Sequence, residues 1–267
     1  MILRILFSLV ILAASGWAQK NDSEVLSHAE IQRQRDEGQI LARQLRSATP
    51  TDNFESSGVL IIGAKPKNRR VPVIWKVERE DSKWKAIYEA KATAQTGAEK
   101  LVITHSPNGP NEYSYAKAPT PTNPLPSSKI LDAKEILQPF AGSDFSIADL
   151  GVDFLFWPEQ RKLPSAPGDL RLGQECYILE SSNPNAPEIV RVKSYIDKRT
   201  FNETESVGIL DAEAFDAKHR AVKEFTLGGS DFTKINGQWR VEKMEMQNKK
   251  TNLRTVLKLD LPAQEGK

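Results

Sequence analysis

Cysteine is almost missing from this chain of 267 residues, and the scarcity excludes a good deal: the lone thiol, Cys176, cannot close an intramolecular disulfide. The fold must rest on a hydrophobic core. Histidine is nearly as rare, with only His28, His105 and His219, and no two of them stand at helix-face or metal-ligand spacing. A zinc centre lacks its ligands. No Gly-x-Ser-x-Gly elbow, phosphate-binding glycine loop or dinucleotide fingerprint occurs, so nothing calls for a cofactor or assigns a catalytic residue. An excess of charge of one sign is missing too, since 37 Lys and Arg stand against 35 Asp and Glu, intermixed along the chain. That balance offers nothing to nucleic acid. So many carboxylates also make chance acid pairs easy, and a two-carboxylate glycosidase finds no specific support. The expected class is a binding protein, not an enzyme.

Long apolar runs are absent as well, apart from Ile5 to Ala14 behind the positive Arg4, followed by the small residues around Gly16-Trp17-Ala18. Ten apolar residues are about half of the roughly 20 that a membrane span needs, which favours a signal peptide cleaved after Ala18. The expected location is therefore outside the cytoplasm. Cys176 is far from that cleavage point, so the chain carries no lipidation cysteine there. In the run Cys176-Tyr-Ile-Leu it reads as a small buried hydrophobe.

After the leader, Asp22 or Ser23 can cap a helix over about 22–46, with an imperfect apolar stripe of Val25, Ala29, Ile40, Leu41 and Leu45 and a polar middle from Gln32 to Gln39. It reads as an exposed capping helix, buried only at its two ends. From Phe54 onward the pattern changes to short runs of β-branched and aromatic residues about ten apart. Antiparallel sheet is expected. Strands are predicted near 54–63, 71–80, 83–93, 99–106 and 111–116, then 152–157, 172–182, 188–198, 202–211, 220–228, 231–236, 238–248 and 252–261. Asn236-Gly237 suits a two-residue hairpin loop, and Asp81-Ser82 is a weaker case. In the last strand Leu253, Thr255, Leu257, Leu259 and Leu261 face one way while Arg254, Lys258 and Asp260 face the other, giving one dry side. Six prolines between Pro107 and Pro126 predict an extended crossing loop, followed by a short helix over Ala133 to Leu137.

The stretch from Ala141 to Pro158 joins a turn at Gly142, a capping pair Ser143 and Asp144, one helical turn from Ser146 to Leu150, and an aromatic run from Val152 to Trp157. It resembles the signature of the outer-membrane lipoprotein-sorting proteins, the LolA-like periplasmic lipoprotein carriers. Further pieces follow the order seen in that group: Gly58-Val-Leu, Val71-Pro-Val, Trp84-Lys-Ala-Ile-Tyr, Cys176-Tyr-Ile-Leu-Glu-Ser, Val192-Lys-Ser-Tyr-Ile-Asp-Lys-Arg-Thr, Val222-Lys-Glu-Phe and the run from Trp239 to Thr255. The resemblance implies an α+β fold in one domain over 19–267, a strongly curved antiparallel half-barrel with helices across its concave face. It also implies a periplasmic monomer that binds the acyl chains of a lipoprotein or other lipid cargo and moves them toward the outer membrane. Such a carrier takes cargo from an inner-membrane exporter, passes it to an outer-membrane acceptor and touches the membrane surface only transiently. At about 0.8 kcal/mol per buried methylene, an acyl chain of roughly 15 methylenes gains on the order of 12 kcal/mol from an apolar site, so a carrier must offer one. The same half-barrel also serves periplasmic sensors or scaffolds that bind another protein, which is the alternative. Alternation and the signature together nominate Phe145, Leu150, Phe154, Phe156, Trp157, Tyr177, Leu179, Leu257 and Leu259 as cavity wall.

Overall fold

The computed structural model describes residues 26–64, 66–80, 83–107, 109–165, 170–203, 208–227, 232–235 and 238–261. The expected leader and cleavage point lie outside them, as do the dipeptides Asp81-Ser82 and Asn236-Gly237. The strands flanking those dipeptides pair with Glu80 opposite Lys83 and Ile235 opposite Gln238, the register that a two-residue loop requires.

In chain order the elements begin with helix α1 (His28–Ser47), then β1 (Phe54–Ile62), β2 (Arg69–Glu80), β3 (Lys83–Ala90), β4 (Glu99–Ser106), β5 (Gly109–Lys117) and β6 (Lys129–Ile130). A helical turn α2 (Ile147–Leu150) precedes β7 (Glu159–Leu163), β8 (Leu170–Arg171), β9 (Gln174–Ser182) and β10 (Arg191–Asp197). After the short helix α3 (Lys198–Glu203) come β11 (Ile209–Phe215), β12 (Ala221–Thr226), β13 (Phe232–Ile235), β14 (Gln238–Val241), β15 (Lys243–Asn248) and β16 (Leu253–Leu259). Three tight 3-10 turns, at Glu135–Leu137, Phe140–Gly142 and Asp153–Phe156, flank α2.

Fourteen of the strands form one antiparallel sheet, ordered β6-β5-β4-β3-β2-β1-β16-β15-β12-β11-β10-β9-β7 with β8 folded onto β9. The first long strand pairs with the last, Leu60 opposite Leu257, and so both halves of the chain share the sheet. Alternation decides which side is dry. In β16, Thr255, Leu257 and Leu259 are buried while Arg254 and Lys258 face out; in β2, Val71, Val73 and Val77 take the same inner side. The sheet is also curled. Strands β5 and β12 are seven spacings apart, about 34 Å in a flat sheet, yet side chains from both meet one short segment. Tyr113 on β5 donates to Asp153 at 3.2 Å, and the Lys223 ammonium on β12 lies 2.8 Å from Asp149. The end strands β6 and β7 do not pair with each other, leaving an unclosed half-barrel.

Several elements depart from the sequence expectation. Helix α1 begins at His28, capped by Ser27, whose side chain accepts the Glu30 amide at 3.2 Å, while Asp22 and Ser23, the expected caps, lie outside the described residues. Its middle is buried, contrary to the reading of a helix buried only at its ends. Gly38 lies so close to β7 that an added Cβ would sit 2.6 Å from the Arg161 backbone, and Gln34 is sequestered by accepting a 2.6 Å hydrogen bond from Arg161. Ile40 is instead exposed. The proline-rich stretch is only partly irregular, since β5 occupies 109–117 within it. The helix expected over Ala133–Leu137 is the 3-10 turn Glu135–Leu137. The strand expected at 202–211 starts at Ile209, because Asp197 accepts the Arg199 amide and opens α3 instead. The strand expected at 238–248 breaks at Glu242: β14 pairs with β13 in a separate ribbon, and β15 rejoins the main sheet.

Candidate functional site

Residues 131–157 run along the inner face of the curled sheet as a plug. Leu131, Ile136, Phe140, Phe145 and Ile147 are buried against residues from β1 to β5 and from β15 and β16, in the largest hydrophobic cluster. Phe140 meets Tyr88 edge-on, and Phe145 meets Phe225 in the same way. Two consecutive left-handed residues, Ala141 (φ 52°) and Gly142 (φ 64°), turn the chain there. The turn α2 is then opened by a capping box in which Ser146 accepts the Asp149 amide and Asp149 accepts the Ser146 amide. The capping role expected of Ser143 or Asp144 is therefore corrected. Asp144 is free to accept a 2.9 Å hydrogen bond from Thr255 on β16.

Polar side chains of the sheet hold the plug by its backbone. Arg69 on β2 donates to the Ala141 and Gly142 carbonyls at 2.7 and 3.1 Å. The buried Glu99 carboxylate on β4 accepts the Ala141 amide and the Tyr115 hydroxyl, both at 2.7 Å, and pairs with Lys117 at 2.9 Å. On β5, Asn111 donates to the Gly151 carbonyl at 2.7 Å, and Tyr113 passes so near Gly151 that a Cβ there would lie 2.3 Å from its hydroxyl. Burial raises the pKa of Asp153, opposed by the hydrogen bond from Tyr113. From α1, Arg46 donates to the Leu155 carbonyl at 2.7 Å, with its guanidinium 5.1 Å from the centre of the Phe156 ring. Buried Gln160 takes the Phe154 and Trp157 carbonyls.

Where the plug ends, it does not fill the space beneath it. A cavity of about 120 Å³ lies between the end of α1, strands β2 to β5 and residues 150–156. Trp75, Trp84, Ala86 and Tyr88 form its sheet wall, with Leu45, Leu150, Leu155 and Phe156 opposite. His105 stacks on Trp84 with ring centres 3.8 Å apart, and burial pushes its pKa down to about 4, so the ring is neutral at pH 7. Val152, also in the wall, has φ 49° and ψ 41°. A β-branched residue in that region is a backbone outlier, costing on the order of 1–2 kcal/mol.

The nominated residues divide among four places. Leu150 and Phe156 line the cavity. Phe145, Leu257 and Leu259 are buried in the main cluster under the first part of the plug. Leu179 and Tyr177 pack beneath α1 around Leu155, while Phe154 and Trp157 flank the cluster on β10 to β12. The expected strand at 152–157 is a 3-10 turn over Asp153–Phe156, whose amides at Leu155 and Trp157 bond back to Val152 and Phe154. Sequence reasoning missed Trp75, Trp84, Tyr88, His105, Asn111 and Arg46. The two-residue spacing of Trp84, Ala86 and Tyr88 was the available signal. Cys176 is buried, with its thiol pushed up to about 11 chiefly by desolvation, as suits an inert hydrophobe. Among the described residues no cluster of His, Cys, Asp and Glu is arranged to hold a metal ion, and no helix is long and apolar enough to cross a membrane.

A family model described as an uncharacterized protein family matches residues 124–263, just over half of the chain. No curated protein matches it. Among solved structures, a DUF1329 family protein from Desulfovibrio piger aligns with TM-score 0.65 at 18% identity, over 85% of this chain and 91% of that one. An outer-membrane lipoprotein-sorting protein domain, so designated, from Vibrio parahaemolyticus aligns with TM-score 0.64 at 17% identity, over 87% and 94%. A LolA superfamily protein from Nitrosomonas europaea aligns at 0.47 and 15% identity, over 83% and 94%, a distance at which likeness decides nothing. The first two share the unclosed antiparallel fold with this chain.

Proposed function

The chain belongs to the family whose model covers residues 124–263, and we propose that it works as a periplasmic carrier, sheltering the acyl chains of a lipoprotein or another lipid on their way to the outer membrane. The observation that carries this reading is the cavity lined by Trp75, Trp84, Tyr88, Leu150 and Phe156, bounded on one side by the last part of the plug. At about 120 Å³ it is smaller than the roughly 300–1,000 Å³ of ordinary ligand sites. Loading requires residues 150–157 to move. Two features suit that segment to moving: most of its side chains are only half-buried, and Val152 holds a strained backbone that another conformation would relieve. The anchors from Arg46, Asn111 and Gln160 are hydrogen bonds to carbonyls, which water can replace when the segment lifts. Transfer then exchanges one apolar site for another and needs no catalytic group. The likeness in fold to a lipoprotein-sorting domain agrees with this reading.

Native mass spectrometry with lipid extraction, on protein purified from its own host, tests the proposal. Bound lipid and uptake of a fluorescent acyl probe are expected. Protein that is ligand-free and takes up no probe contradicts the carrier, and a stable protein partner in place of lipid points to a sensor or scaffold.

A further inference from the structure

We propose that Ala86 fits the cavity to a straight alkyl chain, laid across the strands in a slot too narrow for a methyl-branched one. The proposal rests on the acyl-carrier reading and goes beyond it to the shape of chain accepted. On the inner face of the sheet, Ala86 on β3 stands in register with Val77 on β2 and Ile103 on β4, and all three are buried. A row of rings flanks this line on each side. Trp75 opposes Tyr88 with ring centres 6.2 Å apart, and Trp84 opposes His105 at 3.8 Å. Both rows and Ala86 line the cavity.

Strand geometry sets the dimensions of the slot. Tyr88 and Trp84 stand two residues either side of Ala86, so the rows are about 13 Å apart from backbone to backbone, and the rings narrow that gap. Between them only a methyl group rises from β3. Along its floor, from Val77 to Ile103, the slot crosses two strand spacings, about 10 Å. Its shape is long and narrow. Residues 150–157 shift when a chain enters, but the slot belongs to three neighbouring strands and keeps its width. An unbranched chain lies along it with apolar contact on both sides. A methyl branch has to push a row of rings aside, and the row has little room to retreat, because Trp75 packs edge-on to Phe54 and Tyr88 edge-on to Phe140. Overpacking of that kind costs affinity.

Decanoic acid and 3,7-dimethyloctanoic acid are isomers, the first straight and the second branched, and titrating each into the full chain by calorimetry tests the proposal. The straight acid is expected to bind about tenfold more tightly, the cost of overpacking the slot. Ala86→Gly, which widens the slot, should bring the ratio close to one, whereas Ala86→Leu, which fills it, should weaken both acids by about tenfold or more. Equal binding of the two isomers by the unaltered protein, or tighter binding of the branched one, overturns this proposal and leaves the carrier reading standing. Failure to bind either acid overturns both. Because the decisive comparison uses the unaltered chain, misfolding of a variant does not obscure it.

Discussion

The two parts of the plug are continuous in sequence and share one concave surface, but they are held differently. In the first, Phe140, Phe145 and Ile147 are all within 2% of complete burial, and Arg69, Glu99 and Thr255 bind the backbone from three strands. In the second, Leu155 alone is buried among Val152 to Trp157, and a cavity lies underneath. The difference separates core from wall. Phe145 in the first part is core, whereas Phe156 in the second lines a cavity.

The contrast is broken or sharpened by four substitutions of decreasing effect. Leu257→Asp would place an unpaired carboxylate beneath the first part of the plug, where Leu257 is 2% exposed. A loss on the order of 5 kcal/mol in denaturant unfolding is expected. Phe145→Ala should cost about 3–5 kcal/mol in the same measurement through the cavity it leaves. A small loss at either position would show that the first part is not core.

His105→Phe acts on the cavity side and through pH. Its folded pKa near 4 lies below the unfolded value of about 6.5, so between those limits the unfolded chain binds the proton that the folded chain refuses. Stability of the unaltered protein therefore falls as pH drops from about 6.5 to 4, by up to about 3 kcal/mol from this group. The variant should lack that component. Asp211, raised to about 6 by burial near Arg171, changes in the opposite sense, but it is present in both proteins and cancels in their difference. Identical acid limbs in pH-dependent unfolding would contradict the burial of His105. Phe156→Ala should have the smallest effect on stability, about 1 kcal/mol, since the ring is only partly buried. Uptake of an acyl probe should nevertheless weaken severalfold. A stability loss as large as that of Phe145→Ala would erase the distinction between the two parts.

How much of this was legible in the sequence follows the same division. The sheet was, because a period of two with one dry face leaves β16 a single sensible orientation, and Leu257 and Leu259 are inward as expected. The first part of the plug was partly legible, through its glycine turn and its short helix. Its second part was misread. Val152 to Trp157 combines a β-branched residue with three aromatics, a composition that suits strands. Tertiary contacts prevail over that preference: Arg46, Asn111 and Gln160, all distant from or outside the run, capture its carbonyls and those beside it, and Val152 adopts the left-handed region. The cavity was hidden for a related reason. Trp84 and His105 are 21 positions apart and become neighbours only through the register of β3 on β4. Arg46 belongs to a helix whose polarity gave no hint that its last turn closes a pocket.

Hydrogen exchange with and without a decanoyl amide tests the central claim, that residues 150–157 are the movable cover of an acyl cavity. The account predicts strong protection at the amides of Phe140, Ser143 and Ile147, faster exchange at Val152, Leu155 and Trp157, and slowing of the second group alone when the amide is added. Uniform protection along the plug, unaltered by the ligand, would contradict it.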